Sequence, residues 1–263
     1  MLDKQELQDM LDFARTTIET AGPIALQYFR MPVTVENKSG KSGFDPVTRA
    51  DKEIEAFIRD RIRNTYPGHT IVGEETGISA GVDSIKWYID PIDGTRAYIS
   101  GVPMWGILLG LMDGDGCRFG LMHQPYLKET YSGGVDGAFI SQGETIQPLV
   151  TRKTTGLADA ILYCTHPDMF PDEADFTSFK TIADQCRLMR YGGDCYSYCL
   201  LARGCIDLVI EADLKPYDIV PLIPIIESAG GVVTDWQGNT AVNGGKVIAS
   251  ANPVLHEKVL QLM

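Results

Sequence analysis

Leu7, Met10, Leu11, Ala14, Ile18, Ala21, Ala25 and Phe29 recur at intervals of three and four. That spacing gathers apolar side chains on one face of a long helix. Gly22-Pro23 falls inside this stretch and is expected to bend it, because proline has no amide hydrogen and crowds the preceding turn. Ile54, Phe57, Ile58 and Ile62 mark a second helix, stopped by Pro67-Gly68. Thr48, with Asp51 three residues later, supplies a capping region and an acid for its first turn. Between the helices, residues 36–46 have no apolar period and read as a mobile surface loop. With Lys38 and Lys41 just ahead of Asp51, this loop is either a lid over bound metal or substrate, or an ordinary exposed loop.

After the second helix the pattern shortens. The runs at 69–73, 85–90, 104–112 and 117–123 are apolar and bounded by Gly, Pro or Asp, which favours strands. Residues 128–131 and 137–142 read as further hairpin strands. A change comes near 148–155. Beyond it strands and helices alternate: strand 160–164, helix 173–185, strand 187–190, helix 194–202, strand 205–210, helix 217–229, strand 231–234, strand 246–250 and helix 253–262. Alternation of this kind predicts α/β layers. The expected organisation is an N-terminal α+β part over 1–150 and a C-terminal α/β part over 151–263.

Composition narrows the function. The 263 residues are 44% hydrophobic and 22% charged, with 23 Lys plus Arg against 35 Asp plus Glu, for a net charge of -12. Such an acidic chain argues against nucleic acid as a partner. It should also repel a phosphate unless cations intervene. No apolar run reaches the roughly 18 residues of a membrane span, and charges throughout residues 1–20 argue against a secretory leader. The six cysteines form no CxxC pair and none of the four histidines lies in an HExxH. Reduced thiols, a cytoplasmic location and no zinc are expected.

Some of the acids sit where they could hold metal. The run Asp90-Pro91-Ile92-Asp93-Gly94-Thr95 follows an apolar strand, and ligand sites in layered α/β proteins favour that strand end. Ile92 can anchor the turn while Asp93 points back beside Asp90. Gly94 permits a tight turn. Thr95 opens a helical turn whose free amides suit an anion. Two neighbouring carboxylates repel each other unless a cation lies between them, and oxygen ligands suit Mg²⁺ or Mn²⁺. The alternative is a turn stabilised by local side-chain bonds. Glu74 and Glu75 end another strand, as ligands or as solvated acids. Asp218 and Asp51 could equally cap helices.

Taken in order, Gly73-Glu74-Glu75-Thr76, Asp90 to Thr95, and Tyr217-Asp218 followed by Glu227-Ser228-Ala229-Gly230-Gly231 resemble the inositol monophosphatase-like superfamily of metal-dependent sugar and polyol phosphatases over nearly the whole chain. The resemblance implies an αβαβα sandwich of the inositol monophosphatase/fructose-1,6-bisphosphatase type. It implies Mg²⁺ as cofactor, two or three ions per site with Mn²⁺ as a substitute, and a homodimer. Glu74 would then bind the first metal and Asp90 would bridge metals. The Ile92 carbonyl would complete the first site, and Asp93 with Asp218 would hold the second. Thr95 and Asp51, with Glu74 close by, would orient the attacking water, while Asp93, Gly94 and Thr95 would contact the phosphate. Tyr217 departs from the tryptophan that many members carry there, a change of one large aromatic for another.

The stretch Arg190-Tyr191-Gly192-Gly193-Asp194-Cys195-Tyr196 resembles the histidinol-phosphate phosphatase branch. Glu211 falls where the family places a substrate-contacting acid. Histidinol phosphate carries an ammonium and an imidazole beside its phosphate. Asp194 and Glu211 could bind that cationic end, with Arg190 as a further candidate, or could be a helix cap and a solvated strand end. Tyr196, Tyr198, Cys195 and Cys199 read as packing residues. The expected reaction is direct hydrolysis of a small phosphorylated metabolite without a phosphoenzyme, in histidine biosynthesis. Its rivals are hydrolysis of inositol monophosphate, fructose bisphosphate or a nucleotide 3′-phosphate, and a non-catalytic metal- or phosphate-binding scaffold.

Overall fold

The apolar stripe of the first helix needs a partner surface, and its partners are a second helix and a sheet. The computed structural model describes residues 2–31, 46–170 and 172–263, with residues 35–37 beside them; for 35–37 and 46–48 the backbone alone is described. Helix α1 (Lys4–Tyr28) is started by Asp3, whose carboxylate accepts from the Glu6 amide at 2.9 Å while Glu6 accepts from the Asp3 amide at 2.8 Å. It runs on through Pro23. Short strands β1 (Val35–Asn37) and β2 (Pro46–Thr48) pair antiparallel. Residues 38–45 of the loop read as either a lid or an exposed loop, with Lys38 and Lys41, lie outside the described residues. Helix α2 (Arg49–Thr65) buries Ile54, Ile58 and Ile62.

Strands β3 (Thr70–Gly73), β4 (Gly77–Ser79), β5 (Ile85–Asp93), β6 (Gly106–Asp113), β7 (Gly116–Gln124), β8 (Glu129–Gly134), β9 (Gly137–Gln142) and β10 (Thr145–Pro148) form one sheet in the order β10-β9-β8-β7-β6-β5-β3-β4. A short helix α3 (Thr95–Ile99) leaves the end of β5. The second sheet is built from β11 (Ile161–Cys164), β12 (Leu188–Tyr191), β13 (Leu208–Leu214), β14 (Val232–Asp235) and β15 (Gly245–Ser250), in the order β12-β11-β13-β15-β14. Helices α4 (Glu173–Ala183), α5 (Asp194–Ala202), α6 (Pro216–Ile219), α7 (Leu222–Ser228) and α8 (Pro253–Leu260) complete the chain.

Three apolar cores stack these elements into five layers. The first joins α1 and α2 to the large sheet through Ile18, Ile58, Trp87 and Trp105. The second seals α5 and α7 between the two sheets through Leu108, Tyr131, Ile225 and Val247. The third packs α4 and α8 on the outer face of the small sheet through Phe179, Ile248 and Leu255. The order is therefore α, β, α, β, α, the expected sandwich.

Two of the local readings that differ from the structure have a plain physical cause. The helix expected over 217–229 is two helices, because Pro221 stands between them and cannot donate to the preceding turn. Strand β10 is exposed along its whole length, so it has no alternating pattern to announce it. All six cysteines are free thiols. Among the described residues no helix is long and apolar enough to cross a membrane. Ile225 is fully buried in the middle layer; its replacement by Ala should lower stability by about 2–4 kcal/mol in urea unfolding. A loss under about 1 kcal/mol would show that the two sheets are not locked together there.

Candidate metal centre

Asp90 and Asp93 are three residues apart on β5. In a regular strand that separation puts side chains on opposite faces. Here Asp90 pairs with Leu108 and Asp93 with Gly106, so β5 takes three steps where β6 takes two. The extra residue is a bulge, and it returns Asp93 to the side of Asp90. Pro91 fits this position because it has no ladder hydrogen to lose. Ile92, fully buried, pins the bulge in the core. The expected local bond is present as well, since the Ile92 amide donates to Asp90 Oδ1 at 3.0 Å.

Asp218 arrives from the opposite direction, on the first turn of α6. Its Oδ2 accepts from the Lys215 amide at 2.7 Å, so it does cap a helix. It also faces β5. One carboxylate oxygen from each of Asp90, Asp93 and Asp218 lies within 4.8 Å of the other two. Asp90 and Asp218 thus make local turn or cap bonds and also belong to the cluster.

The electrostatics of this trio are unfavourable for the protein alone. Burial, then the charges of Glu74, Asp93, Asp218 and Asp51, hold the Asp90 carboxyl well above its usual range. Burial raises Asp93 to about 6, opposed by the Cys195 hydrogen bonds and reinforced by Glu74. Burial, followed by Asp93, raises Asp218 well above the ordinary carboxylate value. The strongest charges acting on each acid are negative. Three carboxylates so placed ionise together only when a cation joins them. Their all-oxygen donor set fits a hard divalent ion such as Mg²⁺ or Mn²⁺.

The other expected site residues lie around this trio. Glu74 follows β3, is half-buried, and donates its amide to Ile89 O at 3.2 Å. It stands outside the 4.8 Å trio, yet its charge reaches all three members. Asp51, in the first turn of α2, is 1% exposed and is not a solvated cap. Thr95 Oγ1 donates to the Ile92 carbonyl at 3.1 Å. Gly94 begins α3 at φ 88°, and a Cβ there would lie 2.8 Å from Met104 O and 3.1 Å from Asp194 Cβ. Only glycine combines that torsion with so close an approach.

Asp194 opens α5 with φ 43°, and its amide donates to Thr165 Oγ1 at 3.1 Å. Burial, then Asp93 and Glu211, raise its carboxyl well above normal, with Arg96 acting the other way. Glu211 is 2% exposed. Its two oxygens accept from the Thr165 amide at 2.8 Å and from Tyr198 Oη at 2.9 Å. It is a fixed, buried acid rather than a solvated strand end. Asp194 and Glu211 line one cavity of about 190 Å³ with Asp93, Asp218, Thr165 and Tyr198. Arg190 is not brought in: it is exposed on β12, with its guanidinium 5.8 Å over the Tyr163 ring.

Three contributors had no distinct signal of their own. The Cys195 amide, at the start of α5, donates to Asp93 Oδ2 at 2.5 Å. Tyr198 packs, as expected, but also orients Glu211. Thr165 reaches both Glu211 and Asp194 because β11 pairs in parallel with β12 and β13. The glycines before Asp194 were the available clue to a helix starting against a site.

The Asp93 value of about 6, against an ordinary 3.8, fixes a sign. The folded state holds this proton more tightly than the unfolded chain. The stability it confers is full below about pH 4 and is lost as pH rises through about 6. A cation replaces the proton. The rise in Tm on adding Mg²⁺ to EDTA-treated protein should therefore grow from pH 4 to pH 7, with protons released on binding. An equal rise at both pH values would contradict the cluster's role.

Residues 6–263 match the model of the inositol monophosphatase family. The bifunctional phosphatase IMPL2, chloroplastic, of Arabidopsis thaliana is 35% identical over 99% of this chain and 76% of its own length. The histidinol-phosphatase of Chlorobaculum parvum is 30% identical, with 95% of each chain covered. Among solved structures, an inositol monophosphatase from Zymomonas mobilis aligns with a TM-score of 0.85 and 34% identity over 97% of both chains. The matched residues include both sheets and all three acids of the trio, and this chain belongs to the inositol monophosphatase family.

Proposed function

We propose that the chain hydrolyses a small phosphate monoester with the help of Mg²⁺, and that its substrate is histidinol phosphate. One observation carries the choice of substrate: Asp194 and Glu211 line the same cavity as Asp93 and Asp218. A phosphate held at the metal end leaves the rest of the molecule facing two acids. An ammonium and an imidazole answer that environment with charge-assisted hydrogen bonds. They would also offset the burial and the repulsion that together raise the Asp194 carboxyl.

In this proposal Glu74, Asp90, Asp93, Asp218 and the Ile92 carbonyl hold two or three Mg²⁺ ions, for which Mn²⁺ can substitute. The cations supply charge neutralisation and a lowered pKa for water. The chain supplies position. Asp51, buried beside Asp90, accepts a proton from the attacking water. Thr95 Oγ1, held at the Ile92 carbonyl, orients the same water. The amides of Gly94 and Thr95 receive phosphate oxygens at the start of a helical turn. Asp194 and Glu211 take the cationic end, while Arg190 stays outside the contact set.

A second substrate has its own support. Glu211 is fixed by Tyr198 and Thr165 and could accept from a hydroxyl, and an inositol monophosphatase is among the similar structures. A polyol, however, offers no charge to Asp194.

Phosphate release separates the two. With Mg²⁺, kcat/KM should be at least about tenfold higher for histidinol phosphate than for myo-inositol 1-phosphate, about 1.4 kcal/mol of preference, and EDTA should abolish both. The reverse order would make the polyol the substrate. Asn tolerates the left-handed torsion of residue 194 better than Ala, so D194N isolates the charge. It should cost histidinol phosphate at least about tenfold in kcat/KM, as expected for one charged hydrogen bond, and cost the polyol little. Equal losses would reduce Asp194 to a structural role.

A further inference from the structure

Asp51, Glu55 and Arg59 are spaced four apart on α2, and all three are buried, at 1%, 0% and 3% exposure. Three charged residues occupy a buried line of a helix whose other buried positions are mostly apolar. A buried ion pair is a poor source of net stability, since apolar residues of similar volume do as well. Glu55 and Arg59 therefore call for another purpose, and their contacts supply one.

Among the described residues, the hydrogen bonds of the Glu55 carboxylate go to Arg59 and to the turn that carries Glu74. Glu55 Oε2 accepts from the Glu75 amide at 2.7 Å. Oε1 accepts from the Thr76 amide at 3.0 Å, from Thr76 Oγ1 at 2.6 Å and from Arg59 Nε at 2.7 Å. Arg59 in turn donates to the Gly77 carbonyl and, at 3.0 Å, to Ser79 Oγ. On its other side Glu74 is tied to β5 by its own amide. The backbone is thus gripped both at Glu74 and immediately after it. Gly73 makes room for the grip: a Cβ there would lie 2.6 Å from Glu55 Oε1 and Arg59 Nη2.

We infer that Glu55, braced by Arg59, is a positioning residue for Glu74, on the premise that Glu74 serves the cation. The trio repels Glu74, whose charge already bears on all three acids. Glu55 holds the turn so that Glu74 faces the cluster before any cation arrives. Its Coulomb role is small beside this, because its own charge is matched by Arg59 at 2.7 Å.

Mn²⁺ binding followed by electron paramagnetic resonance tests the role without a substrate. E55Q places an NH₂ against the turn's own donors and should weaken Mn²⁺ binding by roughly 10- to 100-fold. Thr76→Val removes one bond, leaves the buried pair intact and should cost about fivefold; it decides the matter if E55Q does not fold. D207N, at a buried carboxylate paired with the part-exposed Arg152 at 3.2 Å, should lower Tm and leave Mn²⁺ affinity unchanged. In an E74Q background, E55Q should cost nothing further, because its effect passes through Glu74. Wild-type protein that binds no Mn²⁺ would overturn the metal centre itself. Normal wild-type binding with E55Q and Thr76→Val within twofold, or additive losses in the double variant, would overturn the role of Glu55 alone.

Discussion

The repulsion among Asp90, Asp93 and Asp218 is the constraint around which this molecule is arranged. Burial makes the charged forms costly and the neighbouring acids add to that cost. Backbone amides offset only part of this cost, so the surrounding layers must hold the acids together against their own charge. They do so with fully buried side chains on both flanks, Ile92 and Ile107 toward α1 and α2, Ile219 and Leu108 toward the middle layer. Within such a frame the site is an unbalanced charge that a divalent ion completes.

Each acid is aimed by one backbone amide. Ile92 serves Asp90, Cys195 serves Asp93 and Lys215 serves Asp218. A backbone donor fixes one oxygen without bringing a competing positive charge. A lysine or arginine in the same place would have satisfied the acids and closed the site.

The start of α5 links the two ends of the cavity. The Cys195 amide holds Asp93, while the preceding residue, Asp194, presents its carboxyl to the same space. Thr165 and Tyr198 brace the far side by fixing Glu211 and the Asp194 amide. The acids Asp93 and Asp218 and the acids Asp194 and Glu211 are thereby parts of one cavity wall. A small displacement of α5 would disturb both.

The long helices, the core strands and the acidic motifs were legible in the chain because local rules govern them: period, punctuation by Gly and Pro, and residue chemistry. Ile54 to Ile62 already named a buried face, and Asp90 with Asp93 already named an oxygen site. Yet a strand alone would have pointed those two acids apart, and only pairing with β6 created the bulge that unites them. Arg190 looked like a neighbour of Asp194 and lies on the outside of β12, since sequence proximity does not set which way an edge strand faces. Asp93 meets Cys195 across 102 residues, and Glu211 meets Thr165 across 46. The amino-acid order by itself determined which groups could do chemistry and which segments would be helix or strand, because those depend on near neighbours. Their convergence, and the discovery that Glu55 stands behind Glu74, were decided only by the stacking of layers, because contacts between distant segments leave no local period to read.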